Sequence, residues 1–385
     1  MSDHGVRWVA RLWEEAGGGL RVVRAALLPA SALYRGGVLA RNAAYRTGLL
    51  AARHVAARTV SIGNLRVGGS GKTPLTRWLA TEARARGIPT AILSRGYGGA
   101  IATAHLVGDG EMLRSDVATS GDEAVMLART AGVPVVAGRD RAAAAALAIA
   151  TFESCLLLCD DAFQHRRLAR ELDLVLIDAG ERGGVARLLP AGPLREPLSA
   201  LRRAHVIVVS ERDEGSSGGW LPPVHADQLV VRARFAPVAL VRVGPLGWEE
   251  IGLAALAGQR VLALSGVARP RPLYQSLRDW EADLVHVLEY PDHHPYDAHD
   301  WQQISHAGKD VDFIVTTEKD LVKLERFPFE RGKLVALRLG VTVDDPAGLL
   351  ARVLGPLASA TPAGVAAPGG EESLQRERSP DRGQA

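Results

Sequence analysis

Residues 68–73 read Gly68-Gly69-Ser70-Gly71-Lys72-Thr73, directly after a β-branched run at 59–62 and directly before a helical stretch at 73–86. No other feature restricts the fold as strongly. Glycines let backbone N–H groups turn toward an anion, and the N-terminus of the following helix adds partial positive charge. Such a loop belongs at the C-terminal end of a buried strand with a helix behind it, which demands an α/β sheet. The strict phosphate-loop pattern G-x-x-x-x-G-K-[ST] fails at its first position, where Arg66 stands. Its chemistry is intact. Lys72 is placed to reach the outer phosphates of a nucleotide, and the Thr73 hydroxyl to ligate Mg²⁺. The whole stretch Leu65, Arg66, Val67, Gly68, Gly69, Ser70, Gly71, Lys72 and Thr73 is assigned to the nucleotide.

Short apolar runs alternate with helical stretches on both sides of this loop. Extended runs are expected at 89–93, 133–136, 156–158, 174–177 and 206–209, and helices at 122–131 and 141–150. Continuous apolar strands are the pattern of a parallel sheet covered on both faces. A Gly-Ser cluster at 215–219 marks a break, and a second set of runs follows at 261–264, 284–287 and 313–316. The expected fold is α/β: a P-loop NTPase-like, mostly parallel sheet flanked by helices, with a second, smaller α/β lobe across a cleft. The expected organisation is an N-terminal helical segment (1–57), a P-loop core (58–212), the second lobe (225–357) and a disordered tail (361–385).

The run at 156–159 ends in Asp160 and Asp161. Two carboxylates at a strand end beside a phosphate loop are candidate Mg²⁺ ligands, and a cation would relieve their repulsion. Residues 20–57 mix apolar clusters with Arg21, Arg24, Arg35, Arg41, Arg46 and Arg53, and no acidic residue occurs from 16 to 81. That pattern suits either a helix lying in an anionic membrane surface or a docked helix with a solvated arginine face. No apolar stretch of roughly 18 residues exists to span a bilayer, and the polar start of the chain is not a signal peptide. The tail is rich in Pro, Gly and charge and lacks the apolar surface that would order it. The chain's net charge of +3 and 5% aromatics supply no case for nucleic acid. Cys155 and Cys159 read as buried thiols rather than a disulfide, because an extended strand holds them apart.

Several segments together resemble one family, the tetraacyldisaccharide 4′-kinases of lipid A synthesis. They are 64–74 (Asn64 to Pro74), Ser94-Arg95-Gly96-Tyr97-Gly98-Gly99, Gly121-Asp122-Glu123 and Asp160-Asp161-Ala162-Phe163-Gln164-His165. Further on come Leu189-Pro190-Ala191-Gly192-Pro193-Leu194-Arg195-Glu196-Pro197, Pro291-Asp292-His293-His294 and Thr316-Thr317-Glu318-Lys319-Asp320. The resemblance runs from about residue 20 to 355, in the family's order. Ala124 and Ala162 stand where the family usually has proline and glycine. The resemblance implies an ATP- and Mg²⁺-dependent kinase at the cytoplasmic face of a Gram-negative inner membrane, held peripherally or monotopically. Its substrate would be a tetraacylated glucosamine disaccharide 1-phosphate, phosphorylated at the 4′-hydroxyl. No protein partner is implied.

By the same resemblance Asp122 accepts the hydroxyl proton, with His293 as its partner from the second lobe. The residues alone also allow Asp122 to be a simple helix cap. Asp292, His293, His294 and His299 could suggest a transition-metal cluster, but Pro295 interrupts the helical spacing that would align them. Tyr97 is a candidate sugar or phosphate contact in a glycine-flanked loop. Gln164 and His165 are candidates to orient water or the metal shell. Arg195 is a candidate phosphate contact, against a plain surface loop with a local Arg195–Glu196 pair. Arg141 is a candidate for the substrate phosphate, against an exposed helix-start arginine. Lys319 and Asp320 are given a nucleotide-side or structural role. The competing class is a P-loop NTPase switch or metallochaperone-type GTPase. Against it, Val67 stands where such proteins often carry lysine, and no N-K-x-D guanine motif is present.

Overall fold

The computed structural model describes residues 12–13, 19–179, 187–211, 224–245 and 247–355. The tail at 361–385 and the Gly-Ser cluster at 215–219 lie outside the described residues. Two helices come first, α1 (Gly19–Ala26) and α2 (Leu28–Arg46). Strand β1 (Arg58–Asn64) leads through the glycine loop into α3 (Lys72–Ala85). Then follow β2 (Thr90–Ser94), β3 (His105–Asp109), α4 (Asp122–Thr130), β4 (Pro134–Ala137) and α5 (Arg141–Phe152). Strands β5 (Leu156–Asp160), β6 (Leu172–Asp178) and β7 (Val206–Glu211) complete the first half.

The second half begins with β8 (Leu229–Gly244) and its hairpin partner β9 (Gly247–Ile251). It continues through β10 (Arg260–Ser265), α6 (Arg271–Asp279), β11 (Asp283–Glu289), α7 (Ala298–Ala307) and β12 (Phe313–Thr317). Helix α8 (Glu318–Leu324), β13 (Leu334–Val343) and α9 (Pro346–Leu354) close it. The strand order is β11-β10-β12-β13-β8-β7-β6-β1-β5-β2-β4-β3, one continuous sheet among the described residues. Most pairs are parallel, as the apolar runs predict; β3 with β4, β8 with β9 and β8 with β13 are antiparallel. β3, β13 and the length of β8 are not anticipated by the run pattern; the first half of β8 alternates buried and more exposed residues instead of forming a continuous apolar run.

β8 joins the halves. Its start pairs parallel to β7, from Leu229 opposite Val206 to Arg234 opposite Glu211. It then pairs antiparallel with β13, from Ala233 opposite Val343 to Arg242 opposite Val335. The core fills both faces. Leu75, Leu79 and Ala83 of α3, with Ala124, Val125 and Leu127 of α4, pack on Val60, Ile62, Leu156 and Leu158. On the opposite face the alanines of α5 pack on Ala91, Leu93, Leu157 and Cys159. A helix of small residues there lies close to the sheet. Cys159 is buried, which pushes its thiol up to about 12. Cys155 is only half-buried, contrary to the reading of both thiols as core, because it precedes the strand rather than lying in it.

The halves are also fastened through Glu318 at the start of α8. It accepts from Arg77 of α3 at 2.8 and 3.0 Å and from Arg338 Nε of β13 at 2.7 Å. Its side chain is 8% exposed. Removing one member of a buried ion cluster strands the remaining charges. Glu318→Ala is therefore expected to destabilise the fold by about 3 kcal/mol. Urea denaturation checks this, and Glu318→Gln, which keeps an acceptor, should lose less.

Candidate active site

The C-terminal ends of β1, β2 and β5 face those of β10, β11 and β12, and the glycine loop lies between them. Asn64 ends β1, and its side-chain amide donates to Ser70 Oγ at 2.9 Å, closing the loop on itself. Gly71 has φ 87, and a Cβ there would meet the Phe235 ring of β8 at 2.6 Å. Both conformation and space require glycine. Lys72 opens α3 with Nζ 3.5 Å from Asp161 Oδ1. The Thr73 hydroxyl donates to Asp160 Oδ2 at 3.3 Å, and Thr76 Oγ1 is 3.1 Å from Asp160 Oδ1. Residues 65–67 behave differently from 68–73. The Leu65 side chain is in the core, and its carbonyl accepts from the Arg195 N–H at 2.7 Å. The Val67 N–H donates to the Pro193 carbonyl at 2.9 Å, and Arg66 bridges to Leu194.

The acidic pair is divided by its surroundings. Asp160 is 3% exposed. Burial, then the charges of Glu123 and Asp161, push its carboxyl up to about 6, against Lys72 and Thr76. Burial also works against the charge of Asp161, but Lys72 and Arg195 outweigh it and hold this carboxyl below the usual range. Arg195 Nη1 donates to both Asp161 oxygens, at 2.8 and 2.9 Å. Thr73, Asp160 and Asp161 are hard oxygen donors of the kind magnesium takes. The surplus negative charge around Asp160 fits a site that receives a divalent cation with its nucleotide.

Asp122 is the first residue of α4, and the cap is Gly121, so the helix-cap reading does not hold. Gly121 has φ 84, and a Cβ there would lie 2.1 Å from the Tyr97 carbonyl oxygen, so glycine sets how closely α4 approaches the 94–99 loop. Both Asp122 oxygens are 3.0 Å from His293 Nδ1. His293 arrives from the second half with φ 61, a strained conformation of the kind found at functional sites. Lys319 Nζ lies 3.1 Å from His293 Nε2, 3.1 Å from Asp292 and 3.4 Å from Glu123. An ammonium can only donate, so Nε2 accepts and the ring proton sits on Nδ1, facing Asp122. Burial opposes the charge of Asp122, but the hydrogen bond from His293 and the charges of Lys319 and Lys323 outweigh it, holding its carboxyl low.

The remaining candidates are distributed around this centre. Tyr97 is exposed, with its ring 5.0 Å from that of His293. Gln164 Nε2 donates to the Asn64 carbonyl at 2.8 Å, at the root of the glycine loop. His165 lies apart in a cavity with Arg139 and Arg167, and burial together with Arg141 and Arg170 lowers it to about 4. Arg141 is 2% exposed, not the exposed helix-start residue of the simpler reading. Its Nη2 donates to the Asp160 carbonyl at 2.8 Å. Arg195 and Glu196 do not pair with each other. Glu196 is 0% exposed and accepts from Arg203 at 2.9 and 3.1 Å and from Asn42 of α2 at 2.9 Å. The local-pair reading fails because each side chain has a better partner elsewhere, Asp161 for Arg195 and Arg203 for Glu196. His294 is occupied by Asp300 at 2.7 Å. Sequence reasoning did not single out Lys323, Thr76 or Phe235. Lys323 had a signal: it falls four residues after Lys319 on one helix.

A glycine loop with Lys72 and Thr73, a strand-end carboxylate beside it and an Asp–His pair presented from opposite halves define a P-loop kinase. The tetraacyldisaccharide-1-P 4′-kinase family (LpxK) matches residues 23–357. The chain belongs to that family. It is 41% identical over 340 residues to the tetraacyldisaccharide 4′-kinase of Anaeromyxobacter sp. (strain Fw109-5), covering 86% of this chain and 91% of that one. It is 37% identical over 338 residues to the Geobacter sulfurreducens protein of the same name, covering 87% and 94%. Among solved structures it is similar to the "apo" form of LpxK from Aquifex aeolicus in complex with ATP. The TM-score is 0.72 at 28% identity, covering 86% of this chain and 98% of that one.

Asp160→Asn tests the electrostatics of the site. A carboxyl raised from 3.8 to about 6 by folding destabilises the nucleotide-free protein when charged. Asparagine is therefore expected to raise the melting temperature above pH 6. The gain should shrink as pH falls below 6, where the folded wild-type carboxyl takes up its proton, and be gone near pH 3.8. Thermal melts from pH 5 to 8 check this.

Proposed function

We propose that this protein transfers the γ-phosphoryl group of ATP to the 4′-hydroxyl of a tetraacylated glucosamine disaccharide 1-phosphate, forming the 1,4′-bisphosphate. The observation that carries this reading is the Asp122–His293 pair, its carboxylate buried, assembled from both halves of the sheet. The 68–73 segment and Lys72 hold the triphosphate, and Lys72 exchanges Asp161 for phosphate oxygens as the nucleotide enters. Thr73, Asp160 and Asp161 hold magnesium, which when bound neutralises phosphate charge. Asp122, ionised and oriented by the His293 Nδ1–H, takes the proton of the attacking hydroxyl. The O4′–phosphorus bond forms, the bond to the β-phosphate oxygen breaks, and its electron pair leaves on ADP.

The disaccharide fits the cleft beyond Tyr97. A cavity of about 290 Å³ lined by Arg95, Tyr97 and Arg139 adjoins one of about 480 Å³ that Arg139 shares with His165 and Arg167. Its arginines suit a phosphorylated sugar. Helix α2 supplies a lipid-facing surface. Ser31 and Val38 are buried toward the protein, while Leu28, Leu33 and Leu39 are exposed among Arg35 and Arg46. No helix among the described residues is long and apolar enough to cross a membrane. A peripheral position on the cytoplasmic face of the inner membrane is the localisation we propose, supported by that surface and by an acylated substrate.

The direct test is transfer of label from [γ-³²P]ATP, with Mg²⁺, to a tetraacyldisaccharide 1-phosphate in detergent. A bisphosphate product is expected, and Lys72→Ala and Asp122→Asn should each lose about 100-fold or more. Hydrolysis of ATP without any lipid product would overturn the reading. Separately, Leu33→Asp with Leu39→Asp should abolish sedimentation with anionic vesicles while leaving the melting temperature unchanged.

A further inference from the structure

Lys323 lies on α8 one turn after Lys319, and its side chain is 4% exposed. A lysine this deep is held by partners. Its ammonium is 2.8 Å from Asp320 Oδ1, 3.7 Å from Asp122 Oδ2 and 5.0 Å from the centre of the Tyr296 ring. Asp320 has structural duties of its own. It accepts from the Gly266 N–H at 2.9 Å, the Thr317 hydroxyl at 2.8 Å and the Tyr296 hydroxyl at 3.3 Å. Lys323 and Asp320 therefore form a neutral pair rooted in the second half. The ammonium of that pair is aimed across the interface at Asp122.

We propose that Lys323 is a positioning residue for phosphoryl transfer: fixed by Asp320 and Tyr296, it holds the Asp122 carboxylate turned toward His293. The proposal rests on Asp122 being the proton acceptor. The two lysines of α8 divide the work. Lys319 meets His293 Nε2 on the outer side of the dyad, and Lys323 meets Asp122 from behind. The charged and titratable groups facing Asp122 are Glu123 from its own helix, His293 and Asp292 from the β11–α7 connection, and Lys319, Lys323 and Asp320 from α8. Tyr97 approaches from the 94–99 loop. Burial alone drives the Asp122 carboxyl toward its protonated form, and Lys323 is one of the charges that oppose it. A protonated Asp122 cannot accept the substrate proton, so loss of Lys323 moves the acid limb of the rate profile to higher pH.

Lys323→Met alone leaves Asp320 buried and unpaired, so it mixes misfolding with catalysis. Asp320→Asn/Lys323→Met removes the pair as a unit, and Lys323→Arg keeps the charge. The experiment measures melting temperature, kcat, KM for ATP and the pH dependence of kcat/KM for both, beside Asp122→Asn. The double variant is expected to fold and to keep KM for ATP within about twofold. Its kcat should fall about 10-fold or more, and its acid limb should move up by about one pH unit. Lys323→Arg should keep the wild-type limb. A folded double variant with wild-type kcat and pH profile would overturn the proposal while leaving the role of Asp122 intact. If the double variant does not fold, Lys323→Gln, which removes the charge but keeps a donor for Asp320, decides: an acid limb moved to higher pH at unchanged KM for ATP supports the proposal, and a wild-type limb and kcat overturn it. An active Asp122→Asn would instead remove the acceptor assignment on which the proposal stands.

Discussion

Strand β8 changes partner along its own length, and the active site exists because it does. Its start extends the parallel sheet of the first half, and its middle turns to pair antiparallel with β13. A second set of parallel strands is thereby joined to the first edge to edge, with the C-terminal ends of both facing one space. In an open α/β sheet those ends are where ligands bind. Here two such edges meet, so the two members of the Asp–His pair can be supplied by segments 171 residues apart.

Charge is what this meeting must manage. Asp122, Glu123, Asp160, Asp161 and Asp292 all come close, and an uncompensated buried carboxylate is costly. The protein answers with cations from different elements. Lys72 and Arg195 hold Asp161, and Lys319 and Lys323 hold the dyad. Asp160 is the exception: burial first, and then the charges of Glu123 and Asp161, push its carboxyl up against what Lys72 offsets. The site is thus arranged to be completed by a cation rather than to be neutral alone.

The N-terminal helix is built into the same scheme. Tyr34 of α2 donates to the Arg195 carbonyl at 2.9 Å, and Asn42 reaches the buried Glu196. Ser31 Oγ donates to the Leu188 carbonyl at 3.0 Å. One face of α2 therefore grips the loop whose Arg195 holds Asp161, while the other carries exposed leucines and arginines. One loop therefore ties the helix that carries the exposed leucines to the carboxylate beside Lys72.

Local chemistry was legible in the sequence because it depends on neighbours in the chain. The glycine loop, the strand-end acids, the parallel apolar strands and the order of family segments need no tertiary knowledge. Their signals are spacing and composition. What depends on distant partners was not legible. Arg141 and Glu196 look like surface charges in one dimension and are buried in three, because a backbone carbonyl and Arg203 with Asn42 receive them. Lys323 looks like an ordinary helix lysine until α8 is laid against α4. Sequence by itself determined that a nucleotide would be held at a strand–loop–helix junction. Only the tertiary structure decided which charges meet there, because a buried charge takes its role from the partner that neutralises it.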